Sequence, residues 1–281
     1  MKANQLYQRL EKDFIKPGLS DDWAKHMTKI QEFISNNFKA RSMGLVCDNT
    51  NEIERVYTAV FPSDKVMREV LECGRKALLL VHHPAAWKIS ASGVFHQMKP
   101  TLLKQFQDRE ISIYNLHVPL DNYGEYGTAV TLADALGLKI IKPIVPYFGS
   151  LAGVLARTEC KTTEELRELF RKVLGHRVSL YDYGSREIEN GLVAVVAGGG
   201  NDLDVLNSLL KEGVHTLLTG VTLQNDYSKP AHAFARANRI NILGGTHYST
   251  ERFACQAMCK YFEKLGLACE FLADKPSMKD L

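Results

Sequence analysis

Residues 77–84 of this 281-residue chain read ALLLVHHP, five apolar residues followed by two adjacent histidines and a proline. A short, continuous apolar run is typical of a strand buried on both faces of a largely parallel sheet. Successive side chains of an extended segment point in opposite directions, so His82 and His83 cannot easily chelate one ion together. Pro84 favours extended backbone at His83. The pair therefore indicates a site that uses one imidazole for each of two metal ions.

Strands and helices are predicted to alternate on both sides of this stretch. The first series is expected at 55–61, 63–74 with Ser63 as N-cap, 77–83, 99–108, 111–118 and 131–138. A second series is expected at 150–156, 162–174, 191–198, 201–213, 215–221, 229–238 and 240–247, with a last helix that ends near 265. Thr162 and Glu165 have the spacing of a capping box. This alternation is the pattern of a three-layer α/β protein.

The two series can be aligned with each other. Segment 70–83 (VLECGRKALLLVHH) matches 209–222 (LLKEGVHTLLTGVT), and 111–121 (ISIYNLHVPLD) matches 240–251 (INILGGTHYSTE). We therefore predict two intertwined α/β lobes related by internal duplication, with mixed, mostly parallel sheets.

Three regions follow from this alignment, and the intertwining is expected to join them into one unit. Residues 1–40 are assigned to an N-terminal helical segment packed on the first lobe, 41–148 to the first lobe and 149–281 to the second. Pro17 and Gly18 are expected to break the N-terminal segment, with Ser20 as the N-cap of its next helix.

The second aligned pair repeats an imidazole followed by a carboxylate. His117-x-x-x-Asp121 and His247-x-x-x-Glu251 share their spacing, and each lies just beyond the carboxyl end of a predicted strand. One such pattern is weak because random sequence often produces it, but repetition in register strengthens it. Ligands of open α/β sheets bind beyond the carboxyl ends of strands. We therefore expect these four residues to share a site with the adjacent histidine pair.

Neutral imidazoles and carboxylates suit a borderline divalent cation such as Zn²⁺, Mn²⁺, Fe²⁺ or Co²⁺. Two such ions bridged by a carboxylate would use both adjacent histidines. Glu251 is predicted to lie one helical turn after His247, with Ser249 or Thr250 as the helix cap. Any one of these histidines taken singly is more often structural than a ligand. A structural role is also the interpretation for the histidines without an acidic partner, His26, His176, His215 and His232.

The bulk composition restricts the class of protein. Hydrophobic residues make up 45% and charged residues 24% of the chain, which is typical of a folded soluble protein and excludes disorder. The net charge of +3 is too small to indicate nucleic-acid binding. The N-terminus lacks the apolar run of a signal peptide, and no apolar run is long enough for a transmembrane helix. We therefore expect a cytoplasmic protein without a membrane partner.

The six cysteines show no CxxC pair and no disulfide framework, so reduced thiols are expected. Cys255 and Cys259 are four residues apart on a predicted core stripe and are interpreted as small buried hydrophobes. The glycine-rich segment 196–202 (VAGGGND) fits neither a dinucleotide-binding motif nor a P-loop, and a tight turn is predicted there.

Three motifs give the chain a family resemblance. At LLLVHHP (78–84), NLHVPLD (115–121) and GGTHYSTE (244–251) it resembles the dinuclear-metal proteins called GTP cyclohydrolase I type 2 homologues, or the Nif-three-like family. The motifs of that family are a strand ending in HHP, then H-x-P-L-D, then GH-x-x-[ST]-E, in this order. The resemblance covers roughly residues 43–272, and Thr246 replaces the small residue usual before the last histidine.

The resemblance implies a ligand set and an assembly. Two divalent ions, of Zn, Mn, Fe, Co or Ni, would be bound by His82, His83, Asp121, His247 and Glu251. Glu251 would bridge the ions, and His117 would be a ligand, a group behind the ligands or a proton-transfer residue. We take proton transfer as the catalytic role of His117. The family also implies a homo-oligomer in the form of a hexameric ring.

Our first hypothesis for function is a metal-dependent hydrolase that acts on a nucleotide-like or phosphate-bearing small molecule. Ring opening of GTP is implied only by the family name. The alternative is a non-enzymatic metal-binding or regulatory scaffold that engages a protein or nucleic-acid partner, although the mild charge does not favour strong DNA binding. A third hypothesis is that metal only stabilises the fold.

Overall fold

Two units, each assembled from separate chain segments, make up the structure, a computed structural model that describes residues 1–87 and 95–281. The first unit contains Met1–Leu120, Phe148–Ser150 and Cys255–Asp274. The second contains Asp121–Tyr147, Leu151–Ala254 and Lys275–Leu281. The loop predicted between His83 and the helix near residue 99 includes 88–94, which lie outside the described residues.

The first unit is built on a five-stranded mixed sheet. Its strands, numbered along the whole chain, are β1 (Gly44–Cys47), β2 (Arg55–Ala59), β3 (Ala77–Val81), β6 (Ile111–Asn115) and β13 (Ala268–Phe271). Two short strands, β4 (Ala86–Trp87) and β5 (Phe95–His96), pair separately. The sheet order is β1-β6-β3-β2-β13, and only the β1–β6 pair in it is antiparallel.

Helices on both faces cover the sheet of the first unit. They are α1 (Ala3–Phe14), α2 (Asn36–Arg41), α3 (Asp64–Cys73), α4 (Pro100–Asp108) and the second part of α10 (His247–Lys264). The helix predicted after Ser20 is wrong, because two short 3-10 turns, Trp23–His26 and Thr28–Ile30, occupy that stretch. Ser35 instead caps α2 by accepting from the Phe38 amide. Ser63 caps α3 as predicted, accepting from the Val66 amide.

The second unit is built on a six-stranded mixed sheet. Its strands are β7 (Lys139–Tyr147), β8 (Ser150–Arg157), β9 (Ser179–Tyr181), β10 (Leu192–Val196), β11 (Thr216–Thr219) and β12 (Asn241–Gly244), in the order β7-β8-β10-β11-β12-β9. β10, β11 and β12 are parallel, whereas β8 and β9 pair antiparallel with them. The sequence did not predict β7, because Pro143 and Pro146 are typical only of an edge strand.

Helices also cover both faces of this second sheet. They are α6 (Thr128–Ala135), α7 (Thr163–Leu174), α8 (Leu203–Lys211), α9 (Lys229–Ala237) and the first part of α10. Helix α5 (His117–Asp121) contains the point in the chain where the first unit's segment ends, at Leu120, and the second unit's begins, at Asp121. Turns of 3-10 helix lie at Glu189–Gly191 and Met278–Asp280. Within the described parts of the chain, no helix is both long and apolar enough to span a membrane.

Successive side chains of the central strands point to opposite faces of the sheet, which produces two separate cores in the second unit. Val193 and Val195 of β10 pack in one cluster with Phe170 of α7, and Ala194 and Val196 pack in another with residues of α8 and α9. This period of two places apolar side chains on both faces of the sheet. The three-layer arrangement predicted from the alternation of strands and helices is therefore present in this unit.

The central three strands have the same order in each unit. They run β6-β3-β2 in the first and β12-β11-β10 in the second, all parallel. The segments aligned in the sequence fall on equivalent strands, β3 with β11 and β6 with β12. This confirms the prediction of an internally duplicated α/β fold. The strand ends differ from the prediction, because β6 stops at Asn115 and β12 at Gly244, so His117 and His247 each begin a helix.

The capping box predicted for α7 provides a test of the local folding argument. Thr162 Oγ1 accepts from the Glu165 amide at 3.2 Å, and Glu165 Oε2 accepts from the Lys161 amide at 2.8 Å. Thr162→Ala should lower the free energy of unfolding by about 1 kcal/mol, because one amide at the helix start loses its acceptor. Urea denaturation measures this. The control Glu164→Ala removes only a surface pair with Arg167, and equal losses in both variants would contradict the assignment.

Candidate metal centre

The three histidines of the first unit emerge from neighbouring strands. β3 and β6 are parallel, with Val81 opposite Asn115 at their last pair. His82 and His83 follow β3 directly, and His117 follows β6 after one residue. Because the carboxyl ends of parallel strands meet at one edge of a sheet, these residues are close in space although they are about 34 positions apart in the sequence.

The three imidazoles form a buried cluster. Their ring centroids are 4.3 Å apart for His82 and His83, 4.7 Å for His83 and His117, and 5.3 Å for His82 and His117. One nitrogen from each ring lies within 4.8 Å of the other two, and the exposed fractions are 0%, 3% and 8%. Three protonated rings so close together would repel one another, whereas three neutral rings could hold a divalent ion.

The ring of His82 is held by a backbone carbonyl. Its Nδ1 lies 3.1 Å from the carbonyl oxygen of Leu116, and a carbonyl only accepts, so Nδ1 carries the proton and donates. The lone pair is then on Nε2, which is the tautomer a metal ligand requires. Asn115 donates from its side-chain amide to the His82 carbonyl oxygen, and the His83 ring stacks on Phe61 at 4.9 Å. Both rings are therefore held in defined orientations.

His117 is oriented by two residues of the N-terminal segment. Its Nδ1 lies 2.8 Å from Oδ2 of Asp21 and 2.9 Å from the indole nitrogen of Trp23. One ring nitrogen cannot both donate to a carboxylate and accept from an indole, and the charge-assisted bond to Asp21 is the stronger. The Asp21 side chain is only 2% exposed. Nδ1 therefore keeps its proton, and the lone pair of His117 is on Nε2.

In the second unit, the first turn of α10 carries the other histidine and its acidic partner. Thr246 precedes the helix with φ of +67°, a conformation that β-branched residues rarely adopt. Its hydroxyl accepts from the Ser249 amide at 3.3 Å, so Thr246 caps the helix, and the prediction of a cap at Ser249 or Thr250 is wrong. His247 Nε2 and Glu251 Oε1 then lie 3.1 Å apart, one turn from each other.

A glycine from the segment after β10 packs against this pair. Gly198 has φ of +69°, and a Cβ added to it would lie 2.1 Å from Glu251 Oε1 and 3.1 Å from His247 Nε2. Its carbonyl accepts from the amides of Gly220 and Val221, which ties this segment to the residues that follow β11. Only a residue without a side chain allows the backbone to approach the carboxylate so closely.

The C-terminal segment of the second unit contributes another contact to His247. Asp280 Oδ2 accepts from the His247 amide at 2.8 Å, and the Asp280 carbonyl accepts from the amides of Thr222 and Leu223. Burial raises the pKa of Asp280, and the bond from the His247 amide lowers it. Asp280 therefore joins the start of α10 to the loop after β11.

The structure divides the predicted site residues between its two units. It brings together His82, His83 and His117 in the first, and His247 and Glu251 in the second. Asp121 belongs to the second unit, where Thr128 donates to its Oδ1 at 3.0 Å. No sequence pattern pointed to the supporting residues, Asp21, Trp23, Gly198 and Asp280. Gly198 lies in the segment predicted as a tight turn, whereas the others are distant in sequence from the residues they contact and gave no signal.

Comparison with known proteins places this chain in a family. The family model for Duf34/NIF3 (NGG1p interacting factor 3) matches residues 20–276, and the chain belongs to this family. A GTP cyclohydrolase 1 type 2 homolog of Escherichia coli strain K12 is 27% identical over 246 residues, which are 84% of this chain and 93% of that protein. The protein of the same name from Pseudomonas aeruginosa is 28% identical over 243 residues, 84% and 86% of the two chains.

A solved structure extends the comparison to the whole fold. The protein ybgI, described as being of unknown function, superposes with a TM-score of 0.77 at 23% identity, covering 99% of this chain and 100% of that one. This likeness concerns the fold alone. The family resemblance inferred from the three sequence motifs is confirmed.

Gly198 and its neighbour provide a matched test of the second-unit pair. Gly198→Ala should displace the Glu251 carboxylate, because the added Cβ would overlap Oε1, whereas a Cβ on Gly199 meets nothing within 4 Å. We expect Gly198→Ala to weaken Mn²⁺ or Zn²⁺ binding at least about tenfold, within the range found when groups that orient ligands are changed. Isothermal titration measures the affinity. Equal affinities in Gly198→Ala and Gly199→Ala would contradict this role for Gly198.

Proposed function

We propose that this protein binds two divalent metal ions and is a metal-dependent hydrolase acting on a nucleotide-like or phosphate-bearing small molecule. The observation that carries the proposal is the buried cluster of His82 and His83 with His117, in which one nitrogen of each ring lies within 4.8 Å of the other two. The name shared by the relatives, GTP cyclohydrolase 1 type 2 homolog, supports the substrate class. The proposed ligands are His82, His83, Asp121, His247 and Glu251, with Glu251 bridging.

The donor groups fit such ions in type and in protonation state. The Leu116 carbonyl holds His82 in the tautomer with its lone pair on Nε2, and imidazole with carboxylate is a common ligand set for Zn²⁺ and similar ions. Glu251 is only 3% exposed, and a buried carboxylate is costly without a compensating charge. Divalent cations would provide that charge.

The residues around His117 support its proposed role in proton transfer. Asp21 keeps the Nδ1 proton in place, so Nε2 can take a proton from a nucleophile and give one to a leaving group. Trp23 is 7% exposed and covers the ring, which excludes water from that side. Bound ions would supply Lewis-acid activation of water and of a substrate oxygen. Histidine suits proton transfer because imidazole titrates near neutral pH.

The proposal predicts metal content and turnover together. Protein loaded with Zn²⁺ or Mn²⁺ should hydrolyse at least one compound in a panel of nucleotides and phosphate esters. His83→Ala and Glu251→Ala should each lose bound metal, and kcat/KM should fall at least about 100-fold. Removing a ligand should cost no less than removing a residue that orients a ligand. Elemental analysis and product chromatography measure the two effects.

The control for these variants is His215→Ala, which changes an exposed histidine outside the predicted ligand set. It should retain both metal and activity. Turnover that survives unchanged in His83→Ala and Glu251→Ala, or protein that binds no divalent metal, would refute the proposed hydrolase.

Variants of Asp21 and Asp22 distinguish the effect of orienting His117 from the general effect of removing a negative charge. Asp21→Asn should lower kcat/KM about 10- to 100-fold with little loss of metal, because the amide no longer fixes the Nδ1 proton of His117. Asp22→Asn, which weakens the pairs of Asp22 with Lys25 and His26 and leaves Asp21 in place, should behave like the wild type. Steady-state kinetics at matched metal content measure this. Equal activity in both variants would exclude the role assigned to Asp21.

A further inference from the structure

A pair of thiols lies in the first unit, among residues to which the proposed hydrolase assigns no role. The Sγ atoms of Cys259 and Cys269 are 3.3 Å apart. Cys259 lies on α10 and Cys269 on β13, the edge strand that pairs with β2. Both side chains are half-buried, whereas Cys255, which the sequence predicted to be buried with Cys259, is fully buried. The helix and the strand thus present two sulfur atoms to each other.

The surroundings distinguish the two sulfurs. The Cys269 thiol donates to Cys259 Sγ, which lowers the pKa of the Cys259 thiol to about 7 against the opposing effect of burial. The same bond, followed by burial, raises the pKa of Cys269. Thr58 Oγ1 lies 3.4 Å from Cys259 Sγ and donates to the Cys255 carbonyl, so β2 also borders this sulfur. Cys259 is therefore the thiol of the pair that ionises more readily, and Cys269 is the thiol that stabilises its thiolate.

We propose that Cys259 and Cys269 form a peroxide-reactive dithiol that closes to an intramolecular disulfide. The Cys259 thiolate attacks a hydroperoxide, forming an S–O bond as the O–O bond breaks, and the leaving oxygen takes up a proton. Cys269 then attacks the sulfenic sulfur of Cys259, an S–S bond forms, and the S–O oxygen leaves as water with the Cys269 proton. The pair loses two electrons and hydrogen peroxide is reduced to two waters. Two equivalents of a small thiol return the pair to its reduced form by thiol–disulfide exchange and leave as their own disulfide.

The sulfur atoms of Cys259 and Cys269 need to move little to form the disulfide. A disulfide has sulfur atoms about 2.05 Å apart, so closure from 3.3 Å asks for a shift of about 1.2 Å, which side-chain rotation can supply. The link would join the end of α10 to β13 across the short connection between them. Other thiols differ in reactivity, since burial raises the pKa of Cys47 to about 12 and makes it a poor nucleophile. Cys73 is exposed and is the natural competitor.

The test uses the full chain treated with one equivalent of hydrogen peroxide under metal-free conditions, so that its result does not depend on the proposed hydrolase. Thiol titration after denaturation should fall from six groups to four, and peptide mapping should find Cys259 linked to Cys269. Cys269→Ser should stop the reaction at a sulfenic acid on Cys259, which dimedone traps. Cys73→Ser should react like the wild type.

Four outcomes would overturn the proposal. In the first, all six thiols persist; in the second, a disulfide joins other cysteines or two molecules. In the third, Cys73 is oxidised before the pair; in the fourth, Cys259 is converted to sulfinic acid without a disulfide. The wild-type protein alone can give each of them, so the result does not rest on whether a variant folds.

Discussion

The parallel pairing of β3 with β6 is the contact on which the first-unit histidine cluster depends. Val81 and Asn115 lie opposite each other at the last position of the ladder, and the Leu116 amide continues it by donating to the Val81 carbonyl. A shift of one residue in this register would turn alternate side chains to the other face of the sheet. His82 and His117 could not then remain within contact distance. The apolar residues that bury β3 on both faces therefore also fix the position of the imidazoles.

Residues that contact the imidazoles of the first unit determine which ring nitrogen carries the lone pair. The Leu116 carbonyl and the Asp21 carboxylate accept hydrogen bonds from the Nδ1–H groups of His82 and His117. In the second unit, strained backbone and a glycine position the His247–Glu251 pair. Thr246 adopts a left-handed conformation, and Gly198, which has no side chain, leaves room for Glu251. Strained backbone of this kind persists where surrounding contacts over-determine it, and it is common at functional sites.

Much of the fold could be predicted because its signals are local. The apolar run at 77–81 gave the buried strand β3, Ser63 and Thr162 marked helix starts, and the duplication followed from the alignment of β3 with β11. The edge strands β1, β7, β9 and β13 were missed, because two prolines mask β7 and the other three are only three or four residues long. The segment after Ser20 was predicted as a helix, but tertiary contacts such as that of Trp23 with His117 compete with its helical pattern.

By itself the sequence determined the repeated pattern in which imidazoles and carboxylates follow strands, and this pattern predicts the metal ligands. It also determined the i, i+4 spacing that places His247 and Glu251 on one face of a helix. Only the tertiary structure decided the tautomers of His82 and His117, the approach of Gly198 to Glu251 and the meeting of Cys259 with Cys269. These contacts join residues on separate elements, most of them far apart in the chain, so no local pattern encodes them; they arise when the sheet register and helix packing place the elements side by side.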